Sequence, residues 1–269
     1  MKPQWTGIYP AVNTKFKEKG ELDIPVFIKN IDFQIESGVS GIIIGGSLGE
    51  SSTLYPDEKF KLVEALQPHQ DKVPVIMNIA ESNTSRAIEA ARQAEVSGAD
   101  GLMLLPPLLY KADANETVEY FKAVASATNL PILLYNNPVD YKIEITIPMF
   151  EALVNTKNIE AVKESTRDLT NITRMRNAFG DRFKILGGVD TLCLESLLLG
   201  GDGLVAGLVC AFPKETVVLF ALDKAGKIKE AVELNRWFMP FLELDIHPKL
   251  VRYIKLAEVY TGSGTEHVR

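Results

Sequence analysis

Short runs rich in Ile, Val and Leu return every few tens of residues along the chain. Between them, apolar positions recur at the three- and four-residue spacing of a single helix face. Eight such runs predict strands at residues 7–12, 40–45, 73–79, 101–105, 131–135, 160–164, 183–186 and 203–208. The intervening segments predict helices near 24–37, 57–67, 84–97, 115–128, 147–155, 168–179 and 190–199, several opened by Asp, Asn, Thr or Pro. Strict alternation of this kind builds a parallel sheet covered by helices. Eight units in 269 residues, with no change of composition along the chain, favour closure into a barrel over an open doubly wound sheet. Three further helical patterns, near 213–224, 228–238 and 247–260, exceed the single helix that closes a barrel. The expected architecture is α/β: a (β/α)8 TIM barrel with its strands and crossovers in 1–210, and a closing helix plus helical appendage in 211–269, forming one structural domain. Residues 262–269 supply no closing element, so a short tail is expected beyond them.

Composition narrows the function classes. A hydrophobic content of 46% suits a large core, while a net charge of −6 with no basic cluster argues against a nucleic-acid surface. No apolar run approaches the ~20 residues of a membrane span, and the amino terminus lacks an apolar leader, so a cytoplasmic location is expected. Cys193 and Cys210 are the only cysteines and lack metal-ligand spacing, which predicts neither a disulfide framework nor a metal site. His69, His247 and His267 fall in helical or terminal segments and are read as surface residues, leaving no base for Ser-His or Cys-His chemistry.

In a barrel of this kind, chemistry gathers where the strands end at their carboxyl sides. Those ends deliver Asn13 and Thr14, the turn Gly45-Gly46-Ser47-Leu48-Gly49-Glu50, then Tyr135-Asn136-Asn137-Pro138, Lys163, Gly187-Gly188-Val189-Asp190 and Ala206-Gly207. Lys163 sits inside an apolar strand, and an amine withdrawn from water exists more readily in the free form that attacks a carbonyl to make a Schiff base. Tyr135, one strand away, is a candidate proton carrier for such an imine. The Gly-rich turn offers backbone N–H groups and the Ser47 hydroxyl to a carboxylate, but lacks the Lys-Ser/Thr ending of a phosphate loop. Glu50 reads as a packing or capping carboxylate, and Tyr110 as a loop residue that covers the site or acts in it.

These residues together resemble the dihydrodipicolinate synthase / N-acetylneuraminate lyase family along essentially the whole chain. The matching pieces are Gly46-Ser47-Leu48-Gly49-Glu50, Tyr135-Asn136-Asn137-Pro138, Lys163-Glu164-Ser165-Thr166 and Gly187-Gly188-Val189-Asp190, in order and on the corresponding strands. The resemblance implies Lys163 as the Schiff-base lysine and Tyr135 as the proton-transfer residue. It further implies Gly46, Ser47, Leu48, Gly188 and Ala206 as the substrate-binding set, with Leu108, Leu109 and Asn137 as pocket wall. No cofactor is implied beyond the covalent lysine imine. The implied partner is a small oxo or imino acid, and a homo-oligomer, a tetramer built from dimers, is the usual assembly.

Three departures bear on the substrate. Leu48 stands where dihydrodipicolinate synthases carry a second hydroxyl, and Leu108 and Leu109 stand where the fourth loop supplies aromatic residues, so the hydroxyl relay of those enzymes is not expected. Val139-Asp140-Tyr141 follows the Tyr-Asn-x-Pro motif where an arginine would hold a second carboxylate. The Gly-Ser-Leu-Gly-Glu turn, the Leu-Leu-Pro-Pro-Leu-Leu-Tyr-Lys loop at 104–111 and Trp237-Phe238-Met239-Pro240 instead resemble a subgroup with pyrroline-4-hydroxy-2-carboxylate deaminase activity, acting in hydroxyproline breakdown. That activity would dehydrate and deaminate the ring to 2-oxoglutarate semialdehyde and ammonia. The alternatives are a pyruvate-dependent aldolase or a 4-hydroxy-tetrahydrodipicolinate synthase, and, in another class, a non-catalytic sensor of small carboxylates.

Overall fold

The computed structural model describes residues 1–269. Eight parallel strands form the centre: β1 (Gly7–Pro10), β2 (Ile42–Ile44), β3 (Val75–Ile79), β4 (Gly101–Leu104), β5 (Ile132–Asn136), β6 (Ile159–Glu164), β7 (Lys184–Gly187) and β8 (Gly203–Ala206). Each pairs with its sequence neighbour from β2 to β8, and β8 pairs with β1. Between β1 and β2 a bridge of Ala11 to Ile43 closes the ring, helped by the Ser40 N–H donating to the Ile8 carbonyl at 2.7 Å. The molecule is a TIM barrel. Edge closure of this kind leaves no unpaired strand to solvent.

Around the strands run α1 (Ile24–Glu36), α2 (Pro56–Ala65), α3 (Thr84–Val96), α4 (Ala114–Ala125), the short α5 (Pro138–Tyr141), α6 (Ile147–Leu153), α7 (Thr170–Phe179) and α8 (Cys193–Leu198). The chain then adds α9 (Pro213–Lys224), α10 (Ile228–Leu242) and α11 (Leu250–Thr261). Side-chain oxygens of Asp23, Asn83 and Asp113 accept the N–H three residues on, satisfying donors that the first turn of α1, α3 and α4 leaves free. α10 continues four residues past its predicted end and carries Pro240 inside it. α5 has no counterpart in the periodicity, because four residues are too few to show it.

Strand alternation divides the core in two. Outward residues such as Ile42, Ile44, Leu102, Leu134, Val162 and Leu204 pack under the helices, and inward residues, among them Tyr9, Ile76, Met103, Leu133, Ala161 and Leu186, fill the barrel. Trp5 plugs the amino-terminal end, donating its Nε1–H to Glu160 Oε2 at 3.1 Å and stacking on Tyr9. Glu160 is the extra residue of an irregularity between β5 and β6, where Ile132 pairs Ile159 but Leu133 pairs Ala161. This shift turns Ala161 inward, and with it Lys163, directly beside Tyr135.

α11 is bound to the barrel by buried charge. Lys15 Nζ donates to Glu258 Oε1 at 2.6 Å and Oε2 at 2.7 Å with neither side chain exposed. Lys255 pairs with Glu50, the buried residue that ends the Gly-rich turn in left-handed backbone at φ 57°. Glu50 is thus the packing carboxylate expected. His69, expected at the surface, is buried instead, its Nε2 lying 3.0 Å from Asp32 Oδ1, because the turn after α2 folds under α1. Both cysteines are buried free thiols, and no helix is long and apolar enough to cross a membrane.

Candidate active site

A cavity of about 100 Å³ opens at the carboxyl ends of the strands, and Lys163 and Tyr135 share it. Lys163 is 7% exposed, and its Nζ lies 4.2 Å from the centroid of the Tyr135 ring. The ring face attracts the ammonium and holds the stem in place. Gly188 makes the space on the other side: a β-carbon there would come within 2.7 Å of Lys163 Cγ and Cε. The Tyr135 hydroxyl accepts from Asn137 Nδ2 at 3.0 Å, and Asn137 is itself fixed as the cap of α5, accepting the Asp140 N–H at 3.2 Å and donating to Asp140 Oδ2 at 2.7 Å. Asp140, where an arginine would hold a carboxylate, is therefore spent on orienting Asn137.

Below Lys163, Glu164 faces outward and joins β5, β6 and α7. Its Oε2 accepts from Asn171 Nδ2 at 2.7 Å and Asn136 Nδ2 at 3.3 Å, and its Oε1 accepts the Thr166 N–H at 2.9 Å. Burial pushes its carboxyl above the ordinary range while those donors pull it back. The motif Lys-Glu-Ser-Thr thus pairs one inward, reactive residue with one outward anchor.

The Gly-rich turn forms another wall through Gly46, Ser47 and Leu48. Asn78 Nδ2 donates to the Gly45 carbonyl at 3.0 Å and Thr14 Oγ1 to the Gly49 carbonyl at 2.6 Å, so the turn is held from both strands beside it. The N–H groups of Ser47 and Leu48 meet no protein acceptor and remain free to donate. Ser47 Oγ does meet a hydroxyl, that of Tyr141 on α5, whose ring sits edge-on to Tyr135 at 5.5 Å. Burial pushes the Tyr141 hydroxyl far up, which keeps its proton on. The sequence departures put leucine at 108 and 109 of the fourth loop, yet the fifth loop returns a tyrosine to the same turn.

Several expected positions lie elsewhere. Ala206 points outward into the helix-facing core, one residue out of phase with Val205 and Gly207, which do line the cavity. Leu109 is 87% exposed in left-handed backbone, and Leu108 packs beside the inner core without reaching the cavity wall. The loop that carries both folds outward after Pro107, so neither forms an apolar wall. Tyr110, 86% exposed, points to solvent with Leu109.

Several wall residues were given no role from sequence, Ser165, Arg167, Asp245 and Leu250 among them. Ser165 Oγ is buried without a hydrogen-bond partner beside Lys163. Asp245 and Leu250 come from the segment around the start of α11, whose route over the barrel mouth has no local signature. Arg167 sits at the mouth in left-handed backbone at φ 65°. Thr166 Oγ1 accepts the Asp168 N–H at 3.2 Å and so closes the turn around it. Asp168 is taken by Arg174 at 2.7 Å, which leaves the Arg167 guanidinium unpaired. A non-glycine residue in left-handed backbone after the strand-six motif is the one signal that could have drawn notice, and it is visible only in three dimensions.

Comparison with known proteins agrees with this geometry. Residues 4–269 match the model of the dihydrodipicolinate synthetase family. A 4-hydroxy-tetrahydrodipicolinate synthase from Methanothrix thermoacetophila is 34% identical over 253 residues, covering 92% of this chain and 85% of its own. The crystal structure of dihydrodipicolinate synthase from Aquifex aeolicus superposes with a TM-score of 0.93 at 28% identity, covering 98% of this chain and 90% of that one. That of the chloride-inhibited dihydrodipicolinate synthase from Acinetobacter baumannii, complexed with pyruvate, gives 0.94 at 25% identity, covering 99% and 92%.

Proposed function

The chain belongs to the dihydrodipicolinate synthetase family, class I lyases that work through a lysine Schiff base, and on that premise we propose that it joins or cleaves carbon–carbon bonds through a Lys163 imine of pyruvate. The observation that carries this reading is the placement of Lys163 against Tyr135, with the free N–H groups of the Ser47-Leu48 turn in the same small cavity. The Lys163 amine attacks the keto carbon of pyruvate and water leaves, forming the imine. The pyruvate carboxylate lies on the turn, where fixed donors need no reorganisation. Loss of a methyl proton gives the enamine, with Tyr135 moving protons at the imine. The enamine carbon then attacks an aldehyde, and hydrolysis of the new imine frees Lys163.

Arg167 favours an electrophile that bears its own acid group. It is an unpaired cation at the mouth, supplied by the loop after β6 in place of the arginine missing after β5. Relatives named for 4-hydroxy-tetrahydrodipicolinate synthesis point the same way, and their names carry no support for deamination or hydroxyproline breakdown. Aspartate semialdehyde is accordingly the first electrophile to offer. Arg167→Ala should raise KM for that aldehyde by roughly 10-fold to 100-fold, the loss of one charge-assisted carboxylate contact, and leave KM for pyruvate near its original value. Equal changes in both constants would remove Arg167 from this role.

The deaminase reading retains one supporting observation: Leu48, 5% exposed, gives the turn an apolar side chain where the synthase pattern has a hydroxyl. Product analysis separates the two. Pyruvate consumed with aspartate semialdehyde supports condensation, and ammonia released from pyrroline-4-hydroxy-2-carboxylate without pyruvate supports deamination. On either course Tyr135→Phe should lower kcat by roughly 10²- to 10⁴-fold, the usual worth of a positioned proton carrier, while the mass of the borohydride-trapped adduct stays the same. An unchanged kcat would move proton transfer to another group.

A further inference from the structure

We propose that Asp245 is held in the Lys163 cavity as an uncharged carboxylic acid and delivers its proton to the aldehyde oxygen as the carbon–carbon bond forms. The inference rests on the pyruvate reading given above. Asp245 lies in the turn between α10 and α11, outside the barrel strands, and reaches over their ends into the cavity wall. Gly207 admits it: a β-carbon at 207 would fall in the space that Asp245 Oδ1 occupies, with Leu48 Cδ2 3.1 Å away on its other side. No side chain donates to the Asp245 carboxyl or forms an ion pair with it, and the Asp190 N–H is its one backbone donor, so the carboxyl remains available to a ligand.

Asp190 beside it is in the opposite situation. It is 1% exposed, its Oδ1 accepts the Gly207 N–H at 3.0 Å, and its Oδ2 accepts the N–H groups of Leu208 at 2.7 Å and Gly207 at 3.2 Å. Backbone donors on both oxygens favour the ionised form, which only accepts. Two carboxyl groups that both lie against Gly207 do not both ionise readily, and the proton settles on the one with fewer donors. The Asp245 carboxyl is accordingly pushed up to about 8, first by burial and next by the charge of Asp190, against the pull of Lys163, the Asp190 N–H and Arg167. Burial also pushes Asp190 up, with the Leu208 and Gly207 N–H groups and Lys163 opposing it. The remaining titratable groups around the cavity are Cys193 on α8, whose thiol burial keeps protonated, Asp140, engaged with Asn137 across the cavity, and the Tyr135 hydroxyl, which accepts from Asn137.

The arrangement divides proton traffic between two sides. Tyr135, fixed by Asn137, serves the imine. When the enamine carbon attacks the aldehyde, the new carbon–carbon bond takes the enamine electron pair, the imine reforms on Lys163, and the carbonyl π pair moves to oxygen. That oxygen takes the proton of the Asp245 O–H, and water reprotonates the carboxylate afterwards. In cleavage the Asp245 carboxylate receives the hydroxyl proton instead.

The experiment compares the full chain with Asp245→Asn in three readouts. Infrared difference spectra should show a protonated-carboxyl band at neutral pH that bleaches as pH rises through about 8 and is missing from the variant. Borohydride reduction with pyruvate should trap the Lys163 adduct equally in both proteins, which also shows that the variant is folded. Turnover of pyruvate with aspartate semialdehyde should fall roughly 10²- to 10³-fold in the variant; the original protein should lose activity above about pH 8, and the variant should show no such alkaline limb. A missing band, or a variant with turnover within about threefold of the original and the same alkaline limb, overturns the assignment. Failure of the original protein to form an adduct overturns the pyruvate reading instead, and the infrared band still decides whether Asp245 carries a proton.

Discussion

Lys163→Ala should leave no borohydride-trapped pyruvate adduct and should cost turnover on the order of 10⁵- to 10⁶-fold, as loss of a covalent nucleophile does. The size follows from the site. Arg167, the other cation on the cavity wall, is a guanidinium that cannot form the imine, and no cofactor need supply the electron sink once the imine exists. Lys163→Arg sharpens the result, since it keeps a positive charge beside Tyr135, Asp190 and Asp245 yet lacks a nucleophilic amine. Intact-protein mass after reduction, with and without pyruvate, is the measurement. An adduct of undiminished yield in Lys163→Ala would show that another amine reacts, and the reading of the site would fall with it.

The largest effect on stability is expected at Glu258→Ala, which should lower the unfolding free energy by about 3–5 kcal/mol, since breaking a fully buried ion pair leaves an uncompensated charge. Glu258 takes Lys15 Nζ on both oxygens, and Asn30 Nδ2 donates to its Oε1 at 3.3 Å. Asn30 also donates to the carbonyls of Cys210 and Ser263, so one knot ties the loop after β1, helix α1, the loop after β8 and helix α11. Removing the carboxylate leaves the fully buried Lys15 ammonium with Asn13 Oδ1 as its remaining partner. Chemical denaturation should show the loss as a lower midpoint, and the double variant Lys15→Met with Glu258→Leu should recover most of it, because two apolar side chains need no partner. Should the single variant prove as stable as the original, the pair contributes nothing to holding α11.

The hydrophobic pattern by itself favours the barrel. Eight apolar runs alternating with amphipathic helices admit few other solutions, because a parallel strand must be covered on both faces. The same pattern places Lys163, Tyr135 and the Gly46-Ser47-Leu48 turn at strand ends, and strand ends converge in a barrel whatever the loops do. Side-chain phase is less secure. Ala206 and Val205 are both small and apolar, and nothing local says which of them faces the cavity. The irregularity at Glu160, which turns Lys163 inward level with Tyr135, exists only as a relation between two strands.

What folding alone supplies is the far wall of the site. Asp245 belongs to a turn more than eighty residues from Lys163, and its route over the barrel mouth depends on α10 and α11 packing and on the buried Lys255–Glu50 and Lys15–Glu258 pairs. Tyr141 meets Ser47 because α5 folds back across the mouth, and Leu109 leaves it because its loop turns outward. Periodicity records which face of an element is apolar, a property of neighbours along the chain. Loop paths, partners of buried charges and the protonation of a carboxyl beside another carboxyl depend on groups distant in sequence, and become definite only when the chain has packed.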